Sequence, residues 1–206
     1  MVLNFNYRIS PMQDQFEYLI DKYINDDFGV CDNFLETSLA FQLKLNLQRL
    51  TASQALRTAG ISNNIAVLNK SVRSDVIYWL DRSHNNVFEN AFLDTMDAFV
   101  AYLNQQCFAG IISHEFHYAL YKPGTFYSKH KDQFINSDSR QFSMIIYLNE
   151  NWKIGDGGEL CIYMNDIPQN ISPDFGKAVF FKSCDLFHEV LETNVPRMSI
   201  TGWLKR

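Results

Sequence analysis

The sequence predicts an α+β fold in which N-terminal helices pack against a C-terminal antiparallel β-barrel or sandwich. Three observations lead there. The first half carries apolar residues at helical spacing. From His114 onward the chain breaks into short β-like runs separated by Gly, Pro, Asn and Asp. No long helical pattern lies between those runs, which favours antiparallel pairing over βαβ units. The chain has 206 residues, 47% of them hydrophobic and 20% charged, enough for a sizeable core and too apolar for wholesale disorder. It shows no repeat, low-complexity tract or linker. Residues 1–110 are therefore read as a helical support region of the same compact domain as a β core over residues 111–206.

Taken in order, Met12 to Asp26 places Phe16, Leu19, Ile20 and Tyr23 at i, i+3, i+4 and i+7, one apolar face of a helix. Phe28 to Phe34 is a short extended piece. A second helix, from about Glu36 to Arg49, carries Leu39, Leu43, Leu47 and Leu50. Thr51 to Ser71 reads as helix end plus loop, and Asp75 to Asp81 as either a strand or a helical turn. Asn86 to Cys107 is the strongest helix, with Phe88, Phe92, Met96, Phe99, Val100 and Leu103 on one side. The β-like runs are HEFHYALY, FSMIIYLN, ELCIYM, KAVFF, HEVLE and RMSITGWL.

Charge and cysteines narrow the setting. The formal net charge is −5, which disfavours binding to nucleic acid through phosphates. No apolar run reaches the ~18–20 residues of a membrane span, and the N-terminus lacks a signal peptide's apolar core. Cys31, Cys107, Cys161 and Cys184 form no C-x-x-C pair and are read as free thiols in a reducing compartment, the cytoplasm.

Three features of the β half carry chemistry. His130 and Asp132 stand two apart on an extended stretch, so they share a face and can hold two positions of one divalent metal. His188 opens a later run and supplies a second imidazole. Two histidines and one carboxylate make the facial triad of non-haem Fe(II) oxygenases, which leaves coordination positions open. Zinc would usually bring a cysteine or a third histidine, and neither stands at a useful spacing. The third feature is the run Arg197 to Trp203. Period two puts Arg197, Ser199, Thr201 and Trp203 on one face, and Met198, Ile200 and Leu204 on the other. In a barrel the first face lines the interior, where an arginine needs an anionic partner. A dicarboxylate would provide one.

The order H-x-D, a distant His, then Arg about ten residues on resembles the 2-oxoglutarate and Fe(II)-dependent dioxygenases, and within them the prolyl 4-hydroxylase group. The resemblance runs from His114 to Lys205 and rests on Tyr121 to Asp132, Arg140 to Trp152, Gly155 to Leu160, His188 to Val190 and Arg197 to Trp203. Weaker matches lie at Asp32 to Leu35 and Arg73 to Leu80. It implies a double-stranded β-helix (jelly-roll) core. It implies that His130, Asp132 and His188 bind Fe(II), and that Arg197 pairs with the distal carboxylate of 2-oxoglutarate. Tyr147, Tyr121 and Thr201 would join Arg197 around that cosubstrate, and Arg140 and Trp203 would lie near a bound target proline. The implied reaction consumes O2 and 2-oxoglutarate, releases succinate and CO2, and hydroxylates a prolyl residue of a protein or peptide, with ascorbate as reductant. Asp132 stands where halogenating relatives have a small residue. Relatives that act on nucleic acids carry a second Arg where this chain has Trp203. A small-molecule hydroxylase, or a non-catalytic module of the same fold, are the competing readings. The polar loop from Gln133 to Ser139 is read as one wall of a peptide groove.

Overall fold

The computed structural model describes residues 11–59, 72–133 and 139–206. In chain order these form α1 (Pro11–Asp26), β1 (Phe28–Cys31), α2 (Thr37–Ala52), β2 (Arg57–Thr58), β3 (Val76–Trp79) and α3 (Val87–Cys107). Eight strands follow: β4 (Ser113–Tyr121), β5 (Thr125–His130), β6 (Arg140–Tyr147), β7 (Leu160–Met164), β8 (Ile167–Ile171), β9 (Ala178–Lys182), β10 (Phe187–Thr193) and β11 (Arg197–Lys205).

The helices start where side chains satisfy their first backbone donors. The Asn86 side chain accepts from the N–H groups of Phe88 and Glu89 at 3.0 and 3.2 Å, and the Glu36 carboxylate accepts from that of Leu39 at 3.1 Å. The expected faces are buried through Phe16, Leu19, Ile20, Leu43, Leu47, Phe92, Met96, Phe99 and Leu103. Phe88 departs from the expectation and is exposed. One position on, Glu89 takes the buried place instead, accepting from the Asn46 amide at 2.8 Å and contacting His84 at 3.0 Å.

The strands pair antiparallel in two sheets. The larger has the order β1-β9-β6-β11-β4-β3-β2, the smaller β5-β10-β7-β8. The architecture is the α+β jelly roll that the sequence led us to expect. The segment Asp75 to Asp81 resolves as a strand that pairs with β4. Three strands had no clear signal in the sequence, among them the two-residue β2, which falls in the stretch Thr51 to Ser71 read as helix end plus loop. β5 reads as polar, and β8 (IPQNI) is an exposed edge strand interrupted by Pro168. Residues 60–71, part of the expected loop, and 134–138, most of the expected groove wall, lie outside the described residues.

The larger sheet has two differently employed faces. Ile200 and Leu204 of β11, with Phe116 and Tyr118 of β4, pack against the helices in one core. The opposite face looks at the smaller sheet, and register sorts its side chains into rows. One row is Trp79, His117, Thr201 and Ile145; the next toward the strand ends is Glu115, Trp203 and Ser143. On the other side lie Ala119, Ser199 and Tyr147, then Tyr121 and Arg197. The space between the sheets is thus lined by the polar face of β11.

Candidate active site

Across the smaller sheet, β10 and β5 pair with His188 directly opposite His130. Their rings lie 4.3 Å apart between centroids. Asp132 follows β5 and turns its carboxylate between them, with Oδ1 3.5 Å from His130 Nε2 and Oδ2 3.5 Å from His188 Nε2. One ligand atom from each residue lies within 4.8 Å of the others. Donor atoms each ~2.1 Å from a single ion would stand about 3 Å apart, so a small contraction completes a metal site.

The imidazoles are held in the tautomer a metal needs. His130 Nδ1 lies 2.7 Å from the Ser128 carbonyl and His188 Nδ1 3.3 Å from that of Leu186. A carbonyl only accepts, so each Nδ1 carries the proton and each Nε2 presents its lone pair. Burial pushes His188 down to about 4, so it is neutral near pH 7. Burial alone would raise the Asp132 carboxyl, but His188, His130 and the Ser143 hydroxyl outweigh it and hold the group well below the usual range. Ser143 donates to Asp132 Oδ2 at 2.7 Å and is itself braced by the Ser183 hydroxyl at 2.9 Å. Tyr127 stacks on His130 at 3.5 Å, and the Arg73 guanidinium lies 4.7 Å from the Tyr127 ring. A two-pronged pair with Asp75, at 2.6 and 2.9 Å, fixes Arg73.

Arg197 sits deeper and is 1% exposed. Its Nε donates to the Gly158 carbonyl at 2.7 Å, while Nη2 has no hydrogen-bond partner among the described residues. Tyr147 Oη is equally buried and equally unpartnered. The guanidinium carbon lies 5.0 Å from both the Tyr147 and Tyr121 rings. Burial pushes the Tyr147 phenol up to about 12, leaving it a neutral donor. A buried cation and a buried hydroxyl, both with unused donors at the same spot, fit a carboxylate. The donor sets therefore suit Fe(II) at the triad and a dicarboxylate reaching in to Arg197. Both groups line one space between the two sheets, together with Arg73, His117 and Leu160.

The other expected residues fall around the same space. Thr201 lines it, with its hydroxyl 3.3 Å from that of Ser199. Trp203 lines it too, but the Arg140 guanidinium lies 3.3 Å from its ring centroid and covers one face. Arg140 is held there by Glu115 at 3.0 and 3.1 Å, and Lys205 binds the other carboxylate oxygen. Any ligand stacking on Trp203 must therefore use the opposite face.

The superfamily model "2OG-Fe(II) oxygenase" matches residues 116–205. A Pseudomonas putida prolyl-4-hydroxylase of known structure is 32% identical, with a TM-score of 0.86 over 93% of this chain and 100% of that one. The chain belongs to the 2-oxoglutarate/Fe(II)-dependent oxygenase superfamily, in its prolyl 4-hydroxylase-like group. It is a 2-oxoglutarate-dependent dioxygenase, and its cofactor set is Fe(II), 2-oxoglutarate and O2. A hypoxia-inducible factor prolyl hydroxylase of Caenorhabditis elegans is 32% identical over 149 residues, 65% of this chain and only 20% of the worm protein. The chain thus aligns with about a fifth of that relative. A Trichoplax adhaerens prolyl hydroxylase, solved with a hypoxia-inducible factor peptide, shares the fold at 24% identity, with a TM-score of 0.81 over 94% of this chain and 90% of that one.

Sequence reasoning about this dioxygenase passed over Arg73, Asp75, Tyr127, Ser143 and His117. All but His117 had a readable signal. Tyr127 stands three residues before His130, and Arg73 and Asp75 fall in a stretch already matched weakly to the family. Ser143 is the polar residue inside the run FSMIIY, on the face opposite the helices.

Proposed function

We propose that this dioxygenase hydroxylates a prolyl residue within a protein or peptide. One atom of O2 goes to the prolyl carbon as hydroxyl and the other to succinate, as 2-oxoglutarate loses CO2. The observation that carries this reading is the full-length match to the Pseudomonas prolyl-4-hydroxylase, combined with the intact His130–Asp132–His188 group.

The residues divide the work by position. His130, Asp132 and His188 would hold Fe(II) from one side, which leaves positions free for the cosubstrate and O2. When bound, that iron supplies the oxidising chemistry. Ser143 keeps Asp132 turned toward the two imidazoles. Arg197 Nη2 and the Tyr147 hydroxyl would receive the distal carboxylate, since Arg197 Nε is already committed to Gly158. Tyr121 packs beside the guanidinium, and Thr201 faces the middle of the space. Arg140 would hold Trp203 upright as one wall for the target ring.

A reducing location such as the cytoplasm fits the absence of disulfides among the cysteines. Ascorbate is carried as the reductant of this reading. The test adds Fe(II), 2-oxoglutarate and ascorbate to the protein and follows succinate release with proline-containing peptides, with free proline, and with neither. Peptide-stimulated succinate, matched by one added oxygen on a prolyl residue, is the expected result. Free proline turning over as well as any peptide would replace the proposal with a small-molecule hydroxylase.

A further inference from the structure

One buried polar side chain in the active-site space has no task in the chemistry derived above. His117 is 1% exposed, and neither ring nitrogen has a hydrogen-bond partner among the described residues. Asn46 pairs with Glu89, Asp75 with Arg73 and Ser143 with Asp132; Arg197 Nη2, Tyr147 Oη and Trp203 Nε1 are also unpartnered, but on His117 both polar atoms of the ring are. Leaving a buried polar group unsatisfied is costly, so a free donor and a free acceptor on one ring call for a partner that arrives from outside.

The ring is held rather than loose. Trp79 meets it at 5.0 Å and 66°, and Trp203 at 5.5 Å and 89°. Burial, reinforced by the nearby Arg73 charge, pushes His117 down to about 4. Near neutral pH the imidazole is uncharged and offers one N–H and one bare nitrogen.

Position selects the partner. His117 and Tyr121, the strand neighbour of Arg197, stand four residues apart on β4, roughly 13 Å along a strand. His117 is therefore remote from the carboxylate seat. It shares its row with Thr201 and with Trp79, whose 45% exposure marks the outer side of the space. The next row holds Ser143, which carries the metal-binding Asp132. A group contacting His117 thus lies beside the triad and toward solvent, where a chain delivering its target residue must pass. A prolyl residue within a chain has no N–H of its own but keeps a carbonyl acceptor, which a neutral imidazole N–H can meet.

We propose that His117 is a specificity-determining residue that donates an imidazole N–H to a backbone carbonyl of the bound peptide, beside the target residue. This rests on the peptide-hydroxylation reading. The test uses the full chain with Fe(II), 2-oxoglutarate and a peptide library in which randomised residues flank a central proline. His117→Phe keeps a flat ring and removes both polar atoms. Its apparent KM for the library is expected to rise about tenfold, the effect of ~1.4 kcal/mol, with kcat, 2-oxoglutarate affinity and melting temperature near wild type. His117→Gln keeps a donor and is expected to recover most of the loss. If His117→Phe fails to fold, His117→Leu takes its place. An unchanged KM overturns the inference, as does equal weakening of 2-oxoglutarate binding or a His117→Gln as poor as His117→Phe. If the wild-type chain hydroxylates no library proline, the prolyl reading and this inference fall together. If it does and His117→Phe matches it, only this inference falls.

Discussion

At the scale of single residues, the site depends on groups that hold other groups. Ser143 donates one hydrogen bond to Asp132, and losing such a support weakens metal binding by about 10–100-fold in comparable sites. Ser143→Ala should do the same here while leaving the fold intact, as metal titration of the apoprotein would show; wild-type affinity would remove Ser143 from the assembly. Arg197 is the sharper case, because its Nη2 and Tyr147 Oη are both left without partners. Arg197→Ala should reduce 2-oxoglutarate affinity by about 2–5 kcal/mol, and Arg197→Lys should also weaken it, since a point charge cannot reproduce a planar guanidinium. Calorimetry decides it, and unchanged affinity in either variant refutes the carboxylate assignment. Gly158 belongs to the same arrangement. Its φ is +68°, and an added Cβ would lie 3.0 Å from Thr193 and 3.1 Å from Arg197 Cδ. Gly158→Ala should therefore disturb the seat of Arg197 as well as the turn. The triad and Arg197 were legible because their side chains are chemically conspicuous at fixed spacing. His117 was not, because a histidine within a strand reads as packing until its lack of partners is seen.

At the scale of elements, legibility followed periodicity. The three helices appear within a few residues of their expected spans because their apolar faces repeat. Asn86 accepts from two backbone donors, so Asn86→Ala should cost about 0.5–2 kcal/mol of stability in urea unfolding with little change in turnover; no change at all would mean the cap is redundant. Phe88 shows where periodicity misleads: a helix's first turn serves its cap and its neighbours before its core. β11 was readable on both faces, since its apolar side meets helices and its polar side meets the site. β5 and β8 were not, because β5 faces the site with polar residues and β8 is an exposed edge. Pairing order was invisible in the sequence. Nothing local to β3 says that it lies beside β4 and delivers Trp79 to His117.

At the scale of the whole molecule, the triad joins the two sheets. His130 and His188 belong to the smaller sheet, and Asp132 is fastened to Ser143 of the larger. A metal that binds only this folded arrangement must stabilise all of it, by about 2.7 kcal/mol at a free concentration one hundred times its dissociation constant. Calorimetric melting should thus rise with Fe(II) or a redox-inert divalent stand-in and fall back with chelator, and a melting temperature indifferent to metal would contradict the shared site. The position of β3 reaches further. The stretch that matches the superfamily model begins at residue 116, yet Arg73, Asp75 and Trp79 come from before it and press on Tyr127 and His117. A chain cut back to the matched stretch would keep His130, Asp132, His188 and Arg197 and lose Arg73, Asp75 and Trp79, so the packing around those four draws on more of the chain than the matched stretch contains.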